Sequence, residues 1–348
     1  MANTDFDIIS VGDATIDHFI IFHDATVNCQ INKEICQLLI NYGDKLPVDK
    51  YLSLVAGNAA NNAVGSARLG LKSAFYVVMG DDESGRRIKR QLEVEGVDTR
   101  YVELVAGDET NNSFVLSFQG ERTIFVYHVH HKYKLPTLAK TRWVYLTSTG
   151  AGFENMFEEV IDYTRKNGAK LAFNPGTYQL RGDVALLAKI LKTAEVCFLN
   201  VEEAQHVLGT HDKNIRLLLT GIREMGVAIS VITDAHNGAY CYDGEHFVNI
   251  AEFNHDRVET TGAGDAFGTG FVAALHYDQP VSEALRWASI NANSVVQKIG
   301  PQAGLLTKRA IEQRLLANPD YLAQIMSDTK LAEKDTETRS SKLAPQAA

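Results

Sequence analysis

Short apolar runs alternate with segments of helical periodicity along most of this chain. Leu71–Met79 is an apolar run of strand length, and Ser84–Glu95 follows it with the spacing of a helix. The same alternation is repeated between Trp143 and Thr233. Strands that alternate with helices usually pair in parallel, because each helix returns the chain to the same end of the sheet. The sequence therefore predicts an α/β fold with a mainly parallel central sheet.

Composition narrows the classes of function. The chain has 348 residues, of which 45% are hydrophobic, and a formal net charge of -9. Nucleic-acid binding relies on clustered Lys and Arg, so the acidic balance argues against it and favours small-molecule partners. No segment approaches the ~20 apolar residues that cross a bilayer, and the N-terminus does not resemble a signal peptide. We therefore expect a cytoplasmic protein without a membrane span.

The cysteines are widely spaced, at positions Cys29, Cys36, Cys197 and Cys241. No Cys-x-x-Cys pair is present, so the spacing predicts neither a zinc site nor a disulfide framework. We expect reduced thiols at all of these positions.

The stretch Glu259–Phe267 reads ETTGAGDAF and continues into an Ala-rich apolar segment. Its two glycines permit a tight turn, which predicts the start of a buried helix. The first N–H groups of a helix lack partners, and together with the helix dipole they form an anion site. Asp265 lies in this first turn. A carboxylate beside bound anions suits phosphoryl transfer, although an Asp at a helix start can also be only a cap.

The run TTGAGDAF resembles the C-terminal signature of the ribokinase-like (PfkB-type) carbohydrate kinase family, which includes sugar and adenosine kinases. The resemblance extends over roughly residues 6–316. It implies a ribokinase-like three-layer αβα fold with a small β lid. It also implies that Asp265 accepts the proton of the acceptor hydroxyl, while the amides of Gly262, Ala263 and Gly264 stabilise the transferred phosphoryl group.

Two carboxylates follow the first predicted strand, Phe6–Gly12. Ligands of parallel sheets sit beyond the carboxyl ends of the strands, so Asp13 and Asp17 could bind substrate hydroxyls, or they could cap a loop. The resemblance favours Asp17, because the family carries a sugar-binding carboxylate five residues after the glycine that ends this strand. Asp13 is the weaker candidate.

The segment Ala56–Ala63 reads AGNAANNA and resembles the N-terminal signature of the same family. From its residues alone, a turn that leads into a helix of small residues is the favoured interpretation. The resemblance implies that Gly57, Asn58 and Asn61 bind the substrate.

Five further residues are implied in binding ATP and magnesium. Asn200 and Glu203 match an Asn-x-x-Glu motif whose Glu holds Mg²⁺ largely through water, although Asn200 could simply cap a helix. Thr233 and Gly238 match the nucleotide loop of the family, and Asn291 lies where relatives contact adenine.

A potassium site is a further implication of the resemblance. Glu259 and Thr261 match positions that form such a site in ribokinase-like enzymes. Many family members have Asp where this chain has Glu259, so potassium activation is only a possible feature here.

The β lid is predicted from two segments, about residues 14–55 and 108–130. Asn112–Phe118 and Arg122–Tyr127 flank a turn and have the pattern of a hairpin, and a helical run is expected near Lys33–Tyr42. Closure of the lid would exclude water from the reaction. Its exposed edge could join two copies into a homodimer, with a monomer as the alternative.

Residues 1–326 are thus predicted to form one kinase domain, and the polar segment 327–348 a disordered tail. We expect an ATP- and Mg²⁺-dependent phosphotransferase that phosphorylates an alcohol group of a sugar or nucleoside. A dedicated adenosine or nucleoside kinase, and a non-catalytic sugar- or nucleotide-binding sensor on the same scaffold, are the alternatives.

Overall fold

The computed structural model describes residues 4–29, 36–119, 121–254 and 256–326. The predicted tail, 327–348, lies outside these residues. The strands, in chain order, are β1 Phe6–Val11, β2 Thr15–Ile21, β3 Thr26–Cys29, β4 Cys36–Leu39, β5 Lys50–Ala56, β6 Ser73–Gly80, β7 Asp98–Val105, β8 Asn112–Phe118, β9 Glu121–Tyr127, β10 Thr141–Leu146, β11 Lys170–Phe173, β12 Val196–Asn200, β13 Ile229–Thr233, β14 Ala239–Tyr242, β15 Phe247–Ile250 and β16 Gln324–Ile325. The α-helices are α1 Asn58–Arg68, α2 Glu83–Val94, α3 Glu154–Asn167, α4 Thr177–Arg181, α5 Val184–Thr193, α6 Val201–Leu208, α7 Ile215–Glu224, α8 Ala263–His276, α9 Val281–Val296 and α10 Lys308–Ala317.

The main sheet has ten strands in the order β16-β15-β14-β13-β12-β11-β10-β1-β6-β7. The strands from β13 to β7 in this order are parallel, and β14, β15 and β16 complete the sheet in antiparallel pairing. Strand β6 is buried along its whole length, as expected for a strand covered by helices on both faces. The predicted α/β fold with a mainly parallel sheet is therefore confirmed.

Separate hydrophobic cores lie on the two faces of the main sheet. One contains Phe157 of α3 and Leu219 of α7. Another contains Phe271 of α8 and Leu285 of α9. Apolar faces of helices pack on each side of the sheet. Because the central strands are parallel, their carboxyl ends lie along one edge, where ligands bind in folds of this kind.

A second, small sheet has the order β5-β2-β8-β9. Its strands come from the two segments of the chain that were predicted to supply the lid. A short connection that starts with Gly12 joins β1 of the main sheet to β2, which begins at Thr15. Strand β5 leads directly into α1. The small sheet is thereby attached at the carboxyl end of β1.

The sequence predictions for residues 26–42 were wrong in two respects. Cys29 and Cys36 form a disulfide bond instead of remaining reduced, because β3 and β4 pair in antiparallel register and bring their Cα atoms to 4.0 Å. Of the helical run expected near Lys33–Tyr42, residues 33–35 lie outside the described residues, and Cys36–Leu39 form strand β4 instead. A short, exposed helix is only marginally stable alone, whereas the hairpin gains backbone pairing and a crosslink. Cys197 and Cys241 are buried free thiols.

None of the helices within the described residues has both the length and the apolar composition needed to cross a bilayer.

Candidate active site

Helix α8 starts at the glycine-rich turn that the sequence predicted. Gly262 has φ 80°, in the left-handed region, and a Cβ atom there would lie 2.4 Å from Cβ of Pro301. Glycine is required at this position for both reasons. Every residue from Asp265 to Ala274 is buried, so the start of the helix is held firmly against the core.

The first turn of α8 leaves backbone amides available to an anion. The first intrahelical bond runs from Ala266 N to Gly262 O, at 2.9 Å. The N–H of Ala263 already donates to Thr260 O, at 3.3 Å, so it is engaged rather than open. A Cβ atom on Gly264 would meet no described atom within 4 Å, which places this glycine against open space. The positive end of the helix therefore faces a cavity.

Asp265 is a buried carboxylate held by one amide. Its side chain is among the buried charged groups, and its Oδ2 accepts a hydrogen bond of 2.8 Å from Asn61 Nδ2. Gln302 Nε2 in turn donates to Asn61 Oδ1, at 3.1 Å, and fixes the orientation of the amide. Burial raises the pKa of Asp265 to about 6, and the bond from Asn61 partly opposes this rise. The carboxylate is thus oriented, and it titrates near neutral pH.

Asp17 belongs to the same crevice as Asp265. It lies on β2 and is buried. Burial raises its pKa to about 7, the hydrogen bond with Ser113 lowers it, and the negative charges of Glu259 and Asp265 raise it further. The structure therefore brings Asp17, Glu259 and Asp265 together, although they come from a strand of the small sheet, a loop and a helix.

Both carboxylate oxygens of Asp13 accept hydrogen bonds from within the protein. Tyr133 Oη donates to its Oδ1 at 2.9 Å, and Gly150 N donates to its Oδ2 at 2.7 Å. Burial is the main cause that raises the pKa of Asp13 to about 7. Tyr133 could not be selected from the sequence, because it is separated from Asp13 by 120 positions and belongs to no motif.

The predicted residues of the second signature lie at the start of α1. Gly57 has φ 105°, and a Cβ atom there would lie 2.6 Å from Cα of Ala14, so the β1–β2 connection can pack closely on this turn. Asn61 contacts Asp265 as described above. The next residue, Asn62, donates to Thr269 Oγ1 at 2.9 Å. These two asparagines join α1 to α8.

A cavity of about 300 Å³, here called the α8 cavity, adjoins the first turn of that helix. Thr233 and Gly238 line it, as do Ala263 and Gly264. Gly238 has φ 91°, and a Cβ atom there would lie 2.0 Å from Ile250 O. The structure therefore places both predicted nucleotide-loop residues beside the predicted anion site.

Asn291 does not reach the α8 cavity. It is fully buried, its Nδ2 donates to Ala266 O at 2.8 Å, and its Oδ1 accepts from Leu306 N at 3.0 Å. Both ends of the amide are thus hydrogen-bonded inside the protein, and the predicted contact of Asn291 with adenine stays a prediction. Asn293 lines the cavity instead. A helix presents residues two positions apart on different faces, which motif matching alone did not resolve.

Asn200 and Glu203 form a reciprocal cap at the start of α6. Glu203 N donates to Asn200 Oδ1, and Asn200 N donates to Glu203 Oε2, both at 2.8 Å. Burial raises the pKa of Glu203. The other carboxylate oxygen makes no hydrogen bond within the described part of the chain, and one such oxygen fits a magnesium ion that keeps most of its waters. No group of three or more His, Cys, Asp or Glu side chains in the described ranges could hold a metal by itself.

Glu259 is held by Thr261 and approached by an arginine of the small sheet. Its Oε1 accepts from Thr261 N at 2.7 Å and from Thr261 Oγ1 at 2.5 Å. Nε of Arg122, on β9, lies 3.7 Å from the same oxygen, and the Arg122 guanidinium also donates to the Thr260 hydroxyl. Oε2 is buried and finds no hydrogen-bond partner among the described residues. The sequence did not identify Arg122, because a charged residue in a predicted hairpin is ordinarily a solvated one.

A second cavity, here called the outer cavity, has a volume of about 830 Å³. Asn58 lines it, together with Tyr127 and His128 at the end of β9, Ser148 after β10, and Tyr178 of α4. It lies next to the carboxylates already described, because Asp13 N donates to Ser148 O at 3.0 Å. The outer cavity and the α8 cavity thus approach the acidic crevice from different sides.

Comparison with known proteins gives one family. The model described as pfkB family carbohydrate kinase matches residues 18–308. The ribokinase of Haemophilus influenzae is 25% identical over 277 residues, which cover 77% of this chain and 89% of that protein. The nucleoside kinase of Methanothermobacter thermautotrophicus is 25% identical over 281 residues, which cover 79% of this chain and 88% of that protein.

Solved structures show the same fold. A ribokinase of Arabidopsis thaliana, complexed with ribose and ATP, superposes with a TM-score of 0.73 at 20% identity and covers 89% of this chain and 98% of its own. A structure from E. coli titled as a putative ribokinase II, in complex with ATP and Mg²⁺, gives a TM-score of 0.73 at 16% identity, with 89% and 99% of the two chains covered. The ribokinase-like fold expected from the motifs is confirmed.

Proposed function

Because the chain belongs to the pfkB family of carbohydrate kinases, we propose that it transfers the terminal phosphoryl group of ATP to an alcohol group of a sugar or nucleoside. One observation carries this proposal: the buried carboxylate of Asp265 stands in the first turn of α8, held by Asn61 and next to Gly264, whose Cα borders the open space of the α8 cavity. A base beside an anion site is the arrangement that phosphoryl transfer to an alcohol requires.

Each part of the site has a separate role in the proposed reaction. The α8 cavity takes the nucleotide, with its phosphates at the helix start near Gly264. Asp17 holds acceptor hydroxyls, and Asp265 orients the reacting hydroxyl and accepts its proton. Because the transition state is loose, the hydroxyl loses its proton late, and a carboxylate with a pKa of about 6 is basic enough. One well-placed amide donor at the transferred group can contribute ~3 kcal/mol to the rate.

The base assignment is tested by Asp265→Asn. The amide side chain keeps the size of the carboxylate but cannot accept the proton, so kcat should fall about 10²- to 10⁴-fold while the Kd for ATP stays within about twofold. Asp44→Asn, on an exposed loop, is the control and should behave as the wild type. Near-normal turnover by Asp265→Asn would show that another group is the base.

The same measurements separate the kinase from the sensor alternative. A non-catalytic sensor on this scaffold would bind ATP and acceptor but release no ADP from the wild-type protein. We favour the kinase, because a sensor has no use for a buried carboxylate whose pKa lies near neutrality.

Magnesium would be held at Glu203, with Asn200 fixing that side chain. The ion neutralises phosphate charge when it is bound with ATP. Glu203→Gln keeps the cap at Asn200 but removes the charge, so the magnesium concentration for half-maximal activity should rise several-fold. Glu202→Gln, the exposed neighbour, provides the matched control. An unchanged magnesium titration for Glu203→Gln would remove this residue from the metal's surroundings.

Glu259 and Thr261 are the residues that would hold a monovalent cation. The buried Oε2 of Glu259 fits such an ion, because its lone pairs are not used by any described group. The nearby guanidinium of Arg122 is a competing positive charge. Activity measured in potassium chloride and in tetramethylammonium chloride at equal ionic strength tests this role, and equal rates would exclude the ion.

We also propose that residues 1–326 form one kinase domain in which 14–55 and 108–130 form the lid. Arg122 supports this assignment, since it links β9 to the loop before α8. Trypsin digestion with and without ATP and acceptor is the test. Protection confined to the small sheet is expected, and cleavage that is indifferent to ligands would contradict a lid.

The outer face of the small sheet is proposed to join two copies into a homodimer, with the monomer as the alternative. Tyr51, Phe114 and Phe125 are each roughly half exposed there, and the imidazole of His18 stacks on Phe114 with ring centroids 5.0 Å apart. Light scattering should give a dimer mass for the wild type and a monomer mass for Phe125→Glu. A monomeric wild type at high concentration would end this proposal.

We propose a cytoplasmic location, where ATP is available. Disulfides are rare in that compartment, so the redox state of the Cys29–Cys36 pair in the cell tests this location. Alkylation of the protein in intact cells, followed by mass spectrometry, would decide this. A fully oxidised pair would indicate an oxidising compartment.

A further inference from the structure

The outer cavity is larger than a free pentose requires. Its volume of about 830 Å³ lies in the upper part of the range for sites that bind drug-sized molecules, roughly 300–1,000 Å³. It begins at Asn58, beside the crevice of carboxylates, and extends to α4. An acceptor whose sugar lies in the crevice would therefore have room for a substituent that points into the outer cavity.

The walls of the outer cavity are aromatic. Tyr178 on α4 is 45% exposed, and its ring lies 5.9 Å from the imidazole of His128, at 42°. Tyr127 of β9 lines the same space. Partly exposed rings offer a flat, polarisable surface on which a planar ring system of a ligand can stack.

The rim of the outer cavity carries polar groups that are free to bind a ligand. Glu154 at the start of α3 and Arg181 at the end of α4 both line it, and within the described ranges neither forms a hydrogen bond or an ion pair. Nδ1 of His128 is buried and has no partner among the same residues. A carboxylate accepts hydrogen bonds and a guanidinium donates them, so together they match the edge of a heterocycle that presents both donors and acceptors.

On the premise of the proposed kinase function, we propose that the outer cavity binds the base of a nucleoside acceptor, with the base stacked on Tyr178 and its polar edge towards Glu154 and Arg181. The sugar then lies between Asn58 and Asp17, with the reacting hydroxyl at Asp265. A sugar acid fits less well, because an open chain cannot stack on the aromatic walls.

The test compares acceptors by ADP release with ATP and magnesium. The panel contains adenosine, guanosine, cytidine, uridine, D-ribose, D-fructose and D-gluconate. The best nucleoside should exceed D-ribose at least tenfold in kcat/KM. Tyr178→Ala should reduce the ratio of kcat/KM for nucleoside over D-ribose about 5- to 150-fold, as expected for the loss of one stacking partner. Tyr178→Phe should keep most of this ratio, and Tyr42→Ala, at a fully exposed tyrosine, is the matched control.

Calorimetric titration of each nucleoside separates failure of this inference from failure of the kinase proposal. If no acceptor yields ADP but nucleosides bind the wild type and not Tyr178→Ala, the cavity assignment stands and the kinase proposal falls. If a free sugar or D-gluconate is the best acceptor, or Tyr178→Ala leaves the ratio unchanged, the cavity assignment is overturned. Absence of both turnover and nucleoside binding overturns the cavity assignment as well.

Discussion

At the scale of single residues, the site depends on carboxylates whose proton affinity is set by their surroundings. Asp265 and Asp17 are both buried, but Asp265 receives a hydrogen bond from Asn61, whereas Asp17 lies in the field of two other negative charges. Burial raises both pKa values, to about 6 and about 7. Both carboxylates thus keep their protons to higher pH than an exposed aspartate does.

The raised pKa of Asp265 predicts a pH dependence of catalysis. Below a pH of about 6, Asp265 is protonated and cannot accept a proton, so kcat/KM should fall towards acid pH. Asn61→Ala removes the bond that lowers the pKa of Asp265, so the acid limb should move to higher pH. A limb that stays in place in Asn61→Ala would contradict the assignment, and Asn41→Ala, on an exposed loop, serves as the control.

Motif residues that act through the backbone or through one specific side chain could be predicted from the sequence. Gly238 lines the α8 cavity, and Asp265 lies in the first turn of the helix that begins beside it. The side on which Asn291 lies could not be predicted, because which face a helical residue presents depends on how α9 packs on α8. Tyr133 and Arg122 could not be found at all, because their contacts join distant parts of the chain.

At the scale of elements, the start of α8 combines two glycines with opposite requirements. Gly262 has no room for a Cβ atom and adopts a left-handed conformation, whereas Gly264 faces open space. The first glycine is therefore needed to build the turn, and the second to keep ligand space clear.

The two glycines predict different variants. Gly262→Ala should lower the free energy of unfolding by more than about 1 kcal/mol, because the methyl group meets Pro301 and the left-handed conformation is strained. Gly264→Ala should keep or gain stability, by up to about 1 kcal/mol, yet weaken ATP binding at least tenfold, since the methyl group enters the cavity. Chemical unfolding and ATP titration of both variants check this. Equal behaviour of the pair would contradict the division of roles.

The inner parallel strands of the main sheet were predictable because they are apolar runs that are largely buried, as in β6 and β12. The β3–β4 hairpin was not, because its residues are largely exposed and carry no periodic signal of a strand. Its crosslink depends on an antiparallel register that places Cys29 opposite Cys36. Such a pairing is a property of the folded hairpin rather than of cysteine spacing.

At the scale of the whole molecule, the parallel topology gathers distant residues at one edge. Asp13 follows β1, Asn200 ends β12 and Thr233 ends β13, all at the carboxyl ends of parallel strands. Topology alone therefore predicted that these positions converge. It did not predict how many negative charges would be enclosed there.

This concentration of charge predicts how the stability of the ligand-free protein varies with pH. The pKa values of Asp13 and Asp17 are raised to about 7, so between about pH 4 and pH 7 the folded state binds more protons than the unfolded state. The free energy of unfolding should therefore fall as the pH rises through this range, by up to roughly 1.4 kcal/mol per pH unit for each group.

Thermal unfolding of Asp17→Asn provides the measurement. The variant should lose part of the slope between pH 5 and pH 8 and be more stable than the wild type at pH 8, because a neutral amide carries no cost of buried charge. Asp44→Asn again serves as the exposed control. A steeper slope, or lower stability of Asp17→Asn at pH 8, would contradict the prediction.

The paired asparagines of α1 have a consequence for the order of events during turnover. Asn61 and Asn62 fasten this helix to α8, so the proton acceptor and part of the acceptor site belong to one rigid body. Asp17 and Arg122 belong instead to the small sheet. We expect closure of the small sheet to bring these two residues towards α1 and α8. This movement would change the path by which the alcohol reaches Asp265, whereas the contacts between α1 and α8 would stay the same.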